Sequence, residues 1–128
     1  MGKADAIKIW EDGAKDAMLT CDKLFESKRY HHALFFLHLA LEKILKALYV
    51  SRKDMSPPFS HSLVDLAERV DLNLNKEKNI DLAQISEFNV SARYENYKYK
   101  IYKMATKEFA EKWMNIGKIF YESILKLI

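Results

Sequence analysis

Glycine, proline and cysteine are scarce in this chain of 128 residues, which contains three, two and one of them respectively. A sheet-rich protein needs many tight turns, and glycine and proline supply them, so the scarcity favours a few long helices joined by short loops. The single cysteine, Cys21, cannot form an internal disulfide. A secretory signal and a run of about 18 uncharged apolar residues are also missing, so we expect neither export nor a membrane span. These absences predict a cytoplasmic protein.

Charge of one sign is not in large excess either, since the net charge is +3. With 49% hydrophobic and 30% charged residues the chain has the balance of a globular protein that buries one core. Its length predicts a single domain over residues 1–128. The positive charge is nevertheless concentrated, because the window from Arg93 to Lys107 holds five basic residues and one acid. This window is where a polyanion would be attracted.

Apolar residues recur at spacings of three and four in the first part of the chain, which predicts two long amphipathic helices over residues 4–25 and 30–51. The polar residues 27–29 separate them, as in a short connection between antiparallel helices. The second helix is apolar around most of its circumference, which is typical of the central helix of a bundle. The two prolines, Pro57 and Pro58, predict that it has ended before them.

The rest of the chain predicts three further segments of this kind. Ser62, with an acid three residues later, is expected to cap a short helix that reaches Val70, and a fourth helix is expected to end near Val90. Thr106 is expected to cap a long last helix. Residues 91–105 alternate like a strand, but a single strand would have no partner, so we expect an irregular connection there. The predicted fold is an all-α, antiparallel up-and-down bundle of four to five helices.

The second helix carries the first candidate site, because its polar residues His38, Glu42 and Lys46 fall in one sector. One interpretation is a solvated stripe, in which Glu42 and Lys46 stabilise the helix by about 0.2–0.5 kcal/mol. We favour a surface for a partner subunit or a ligand, because large apolar residues in the same sector would otherwise face water. The predicted dimer face comprises His31, Phe35, Leu39 and Tyr49. A metal site is not expected, since no second histidine–carboxylate element accompanies this one.

The second candidate site is the tract over residues 93–100, where basic and aromatic residues are interleaved. Cations neutralise phosphates and tyrosines stack on bases, so this composition suits single-stranded nucleic acid or a nucleotide. The alternative is that the tyrosines plug the end of the bundle while the lysines are merely solvated. Nucleophilic catalysis has no support, because there is no glycine-rich phosphate loop and Cys21 lies on an apolar helix face. The binding candidates in the tract are Arg93, Tyr94, Tyr97, Lys98 and Lys100.

Residues 30–48 resemble the signature helix of the HEPN family, in which an aromatic-rich run leads into His38-x-Ala40-x-Glu42-Lys43-x-Leu45-Lys46-Ala47. Two later elements are similar to those of the family as well. They are Pro57-Pro58 with His61-Ser62-Leu63, and Ala92-Arg93-Tyr94. The resemblance keeps the family's order and spans nearly the whole chain.

The resemblance implies a helical bundle that forms homodimers and is often paired with a small nucleotidyltransferase. Many HEPN proteins are RNA-cutting toxins that use an arginine and, shortly after it, a histidine. Arg93 matches the arginine, but the positions of the histidine hold Lys98, Tyr99 and Lys100. A lysine with an ordinary pKa is a poor proton-transfer group near neutral pH.

The resemblance therefore favours a non-catalytic protein that binds a nucleotide or RNA and belongs to a toxin–antitoxin-type module with a nucleotidyltransferase. It implies no cofactor other than a bound nucleotide. Two alternatives stay open. One is a ribonuclease toxin that combines Arg93 with a histidine from elsewhere, such as His61 or His38. The other is a purely structural dimerisation module.

Overall fold

A computed structural model describes residues 2–93 and 95–128, and all of their side chains except those of residues 90–93 and 95–98. The described residues form six α-helices and no strand, which confirms the predicted all-α bundle. The helices are α1 (Lys3–Glu26), α2 (Tyr30–Lys53), α3 (Leu63–Arg69), α4 (Lys76–Arg93), α5 (Glu95–Met104) and α6 (Lys107–Leu125).

The central element is α2, which contacts each of the other five described helices. A helix can do this only if most of its circumference is apolar, and the predicted distribution of residues on α2 has this property. Six of its large apolar side chains are completely buried and form the middle of the core. They are Leu34, Leu37, Leu41, Ile44, Leu45 and Leu48.

Helices α1 and α2 form an antiparallel hairpin, since Lys3 at the start of α1 pairs with Asp54 just after α2 at 3.6 Å. The turn between them is held by hydrogen bonds from its backbone N–H groups to the last turn of α1, among them Arg29 N to Leu24 O at 2.8 Å. Lys28 has a left-handed backbone with φ of 62°.

Cys21 of α1 is a buried core residue, and burial raises the pKa of its thiol to about 12.

Two predicted helix caps are present in the structure. The Ser62 hydroxyl accepts a hydrogen bond from the backbone N–H of Asp65 at 3.1 Å, and α3 begins at the next residue. The Thr106 hydroxyl accepts one from the N–H of Phe109 at 3.2 Å, and α6 begins directly after it. Each cap satisfies a backbone donor that the first helical turn leaves without a partner.

The predicted irregular connection over residues 91–105 is wrong, because α4 extends to Arg93 and α5 covers most of the remainder. The strand-like alternation is misleading because it counts tyrosine as apolar. Tyr99 and Tyr102 are 63% and 62% exposed, whereas Ile101 between them is buried. In a strand Tyr99, Ile101 and Lys103 would share a face. Here Ile101 alone of the three points into the core, as a helix permits.

Helix α6 lies close to α2 because it presents a glycine at the contact. A Cβ atom placed on Gly117 would lie 2.6 Å from Cδ1 of Leu37. On another side of α6, aromatic rings pack against α4: the centroid of Phe88 lies 6.2 Å from that of Phe109 and 6.2 Å from that of Trp113. These contacts fix α6, and with it the cap at Thr106, relative to the start of α2.

Candidate functional site

Three polar side chains of α2, His38, Glu42 and Lys46, lie buried together. The Glu42 carboxylate accepts a hydrogen bond from Lys46 Nζ at Oε2 and one from His61 Nδ1 at Oε1, both 3.0 Å long. His38 Nε2 lies 3.7 Å from the same Oε1 and donates to the backbone oxygen of His61 at 3.0 Å. The loop between α2 and α3 therefore closes over the polar face of α2 through His61.

These hydrogen bonds fix the protons of the buried cluster. A carbonyl oxygen can only accept, so Nε2 of His38 carries a hydrogen, and an ionised carboxylate likewise requires one on Nδ1 of His61. Burial alone would raise the pKa of Glu42, but the hydrogen bonds from His61 and Lys46 and the charge of Lys46 outweigh it. The pKa of Glu42 therefore lies below its ordinary value, and the carboxyl group is ionised at neutral pH.

The cluster is covered by other parts of the chain rather than by water. The ring of Trp10 on α1 lies over Lys46, whose Nζ is 5.5 Å from the ring centroid. His38 is 0% exposed, whereas the side chain of His61 is 51% exposed. The solvated stripe that the helical pattern allowed is thus not observed. Within the described residues, no three His, Cys, Asp or Glu side chains are grouped to hold a metal ion.

The predicted dimer face flanks the cluster on α2. His31, Phe35, Leu39 and Tyr49 are each partly buried and partly exposed. The ring of Phe35 stacks 6.4 Å from the ring of His38, so this face is continuous with the buried cluster. Occupation of the face by a second subunit stays a prediction.

The residues of the second candidate site belong to two helices, because Arg93 ends α4 whereas Tyr97, Lys98 and Lys100 belong to α5. The side chains of Arg93, Tyr94, Tyr97 and Lys98 lie outside the described residues, whereas Lys100 is exposed on α5. The described part of this helix forms a surface that we name the α5 tyrosine–lysine surface. It comprises the exposed residues Tyr99, Lys100, Tyr102 and Lys103. Lys103 Nζ lies 4.8 Å from the centroid of the Tyr99 ring, so cation and aromatic ring are already in contact.

A cavity of about 680 Å³ adjoins this surface, between the α1–α2 turn and the end of α5. Its size is within the range of about 300–1,000 Å³ that small-molecule sites occupy. The rings of His31 and Tyr102 meet edge to face in its wall, with centroids 5.0 Å apart. Six side chains give the cavity its chemistry: Lys28, Arg29, Tyr30, His31, Tyr102 and Lys103. We name it the turn cavity.

The turn cavity cannot be found from the sequence when residues 27–29 are taken only as a polar break. The helical pattern directs His31 toward a partner subunit, not toward Tyr102. The sequence nevertheless contains one signal of a basic site. Glycine is the commonest residue just after the end of a helix, but here that position holds Lys28, and Arg29 follows it. The contact with α5 depends on tertiary structure and has no sequence signature.

The fold and these sites define a class of small helical bundles. In this class a polar cluster is buried on one face of the central helix, and a neighbouring helix carries a basic, aromatic surface. The family model of the HEPN domain matches residues 7–127. The chain therefore belongs to the HEPN family. A search of curated proteins found no match.

A solved structure shares this architecture. The crystal structure of TT1696 from Thermus thermophilus is similar with a TM-score of 0.81 and 16% sequence identity. The similarity covers 95% of this chain and 98% of that chain, so the two folds correspond over almost their whole length.

Among the helices of the described residues, none combines the length and the hydrophobicity that a membrane span requires.

Proposed function

We propose that this HEPN protein binds a nucleotide or single-stranded RNA without cutting it, as the partner of a nucleotidyltransferase in a toxin–antitoxin-type module. The observation that carries the proposal is the α5 tyrosine–lysine surface. Two tyrosines more than half exposed lie between lysines on one short helix. Exposed rings of this kind stack on bases, and the lysines attract the phosphates that link them.

The proposed absence of cleavage rests on the missing histidine after Arg93 and on the burial of His38. Acid–base catalysis on RNA needs a group that exchanges protons near neutral pH and reaches the reacting oxygen. His38 is fully buried, so it cannot reach a strand of RNA in solution. Two lysines and a tyrosine occupy the positions after Arg93 where the family's toxins have their histidine. The missing histidine favours binding over cleavage.

Binding can be tested by fluorescence anisotropy with a labelled single-stranded RNA and by titration with ATP. Loss of one stacked base costs about 1–3 kcal/mol, so Tyr99→Ala should weaken RNA binding by about tenfold. Lys100→Ala should also reduce the salt dependence, by a slope of about 0.7 for each phosphate that is no longer neutralised. Lys15→Ala is the matched control, because this exposed lysine lies on α1, about 16 Å along the helix from its end at Glu26.

The outcomes separate this proposal from its two rivals. Cleavage of bulk RNA that disappears in both Arg93→Ala and His61→Ala would replace it with a ribonuclease. Absence of any RNA or nucleotide binding, with dimers intact, would instead favour a purely structural module. The partner is tested by co-purification with the product of the neighbouring gene, and repeated failure to form a complex with it would remove that part of the proposal.

A further inference from the structure

The turn cavity collects positive charge from two separate parts of the chain. Lys28 and Arg29 come from the α1–α2 turn, and Lys103 comes from the end of α5. No acidic side chain is among the described residues that line it. Three cations around one concave site repel each other when it is empty, and an anion with several charges would neutralise all of them.

The conformation of Lys28 is the second observation. With φ of 62° this residue adopts the left-handed backbone that glycine adopts without strain and that side chains other than Asn and Asp rarely take. Elsewhere in the described chain the positive-φ residues other than glycine are Asp54 and Asp71, and aspartate tolerates this region. A lysine at such a position costs stability. Residues held in this way are frequent at ligand sites, where the side chain serves a purpose.

The turn that presents Lys28 is also held firmly. The backbone N–H of Lys28 donates to Phe25 O at 3.0 Å, and the backbone N–H groups of Ser27 and Arg29 donate to Lys23 O and Leu24 O. With the turn anchored to α1 at three successive residues, the two basic side chains start from fixed backbone positions. A fixed backbone lowers the conformational entropy that the pair loses when it binds an anion.

The opposite wall of the turn cavity is aromatic. Tyr102 meets His31 edge to face, and this arrangement holds the Tyr102 ring while more than half of the residue stays exposed. Tyr102 belongs to the α5 tyrosine–lysine surface as well as to the cavity. A ligand could therefore place a base on the surface and its phosphates in the cavity at the same time.

We propose that the turn cavity binds the phosphate chain of a nucleoside 5′-polyphosphate, with Lys28, Arg29 and Lys103 on the phosphates and Tyr102 beside the base. This inference rests on the proposed function and specifies its ligand. The polyphosphate belongs either to a free nucleoside triphosphate or to the 5′-triphosphate end of an RNA strand. The chemistry recognised is the same in both cases.

The test compares ligands that differ in the number of phosphates. Calorimetric titration should show ATP binding at least about tenfold more tightly than AMP, because one charged hydrogen bond to phosphate contributes about this much and ATP has two more phosphates. A 5′-triphosphorylated oligonucleotide should likewise bind more tightly than the same strand with a 5′-hydroxyl group. If ATP alone shows the preference, the free nucleotide is the ligand. If the strand alone shows it, the RNA end is.

Lys28→Gly separates a binding role from a structural one. Glycine accepts the left-handed backbone, so the variant should have a Tm about 2–4 °C higher than the wild type. It should nevertheless bind the polyphosphate about tenfold more weakly, since it lacks one cation. Lys28→Arg should keep most of the affinity, and Lys103→Ala removes a cation from the other side of the cavity. Lys15→Ala again controls for the removal of one positive charge.

Each remaining outcome is decisive. Equal affinity for ATP and AMP and for the two oligonucleotides overturns the inference, as does affinity unchanged in both Lys28→Gly and Lys103→Ala. In either case continued binding that depends on Tyr99 leaves the proposed function standing. If the wild type binds none of the nucleotides and none of the strands, the inference and the proposed function are both wrong.

Discussion

Gly117→Ala tests whether α6 packs against α2 as closely as the structure shows. The added Cβ would lie 2.6 Å from Cδ1 of Leu37 and 2.9 Å from both Cδ2 and Cγ. Rotation about χ2 of Leu37 leaves Cγ in place and cannot remove the clash, and rotation about χ1 would drive a completely buried side chain into the packed core. Overpacking of this kind costs about 1–3 kcal/mol. Alanine recovers up to about 1 kcal/mol through its helix propensity, so we expect a net destabilisation of up to about 2 kcal/mol.

The assay is urea unfolding followed by circular dichroism, with the midpoint expected to fall at unchanged slope. Leu37→Ala alone should cost about 2–5 kcal/mol because it leaves a cavity. In that background Gly117→Ala should become stabilising, because the clash is gone and the helix propensity remains. Gly13→Ala is a matched control in α1, where the new Cβ would be 3.2 Å from Cδ of Lys43, a flexible side chain. Equal stabilisation by Gly13→Ala and Gly117→Ala would refute the reasoning.

The remaining predictions concern the polar cluster and a helix cap. Glu42→Gln should destabilise the protein by about 3–5 kcal/mol in urea unfolding, because Lys46 stays buried without its counter-charge. The double variant Glu42→Leu/Lys46→Met should recover most of this stability. If it does not, the loss of stability comes from the missing contact with His61 of the α2–α3 loop and not from the unpaired charge of Lys46. Since the folded pKa of Glu42 lies below the ordinary value of 4.5, its contribution is fully present above about pH 4.5 and disappears as the pH falls through the folded value. The gap in Tm between wild type and Glu42→Gln should therefore narrow in acid, and a gap independent of pH would contradict the assignment. Thr106→Ala should cost about 1 kcal/mol, whereas Thr106→Ser keeps the hydroxyl and most of the stability.

The long-range outline of the fold could be predicted because it depends on local patterns. The apolar circumference of α2 required helices on all sides of it, and the caps at Ser62 and Thr106 are signalled by their own side chains. The segment that forms α5 could not be assigned in this way. Its tyrosines are amphipathic, and only packing against the core decides that Ile101 is buried while Tyr99 is not.

The candidate sites could be predicted in part, for a related reason. A helical wheel correctly places His38, Glu42 and Lys46 on one face, but it cannot show what covers that face. The covering residues are Trp10, on a different helix, and His61, which is 19 positions from Glu42. The turn cavity depends on the approach of two segments that are distant in sequence, and periodicity within either segment gives no indication of it.

The burial of Cys21 has a practical consequence for all of these experiments. A thiol is reactive as its thiolate, and with a pKa of about 12 almost none of Cys21 is in this form at neutral pH. The sequence contains no other cysteine. A cysteine introduced at an exposed position of α5 outside the tyrosine–lysine surface, such as Met104, would therefore accept a fluorescent or paramagnetic label selectively. Distances from α5 to a bound ligand or to a second subunit could then be measured without first removing the native thiol.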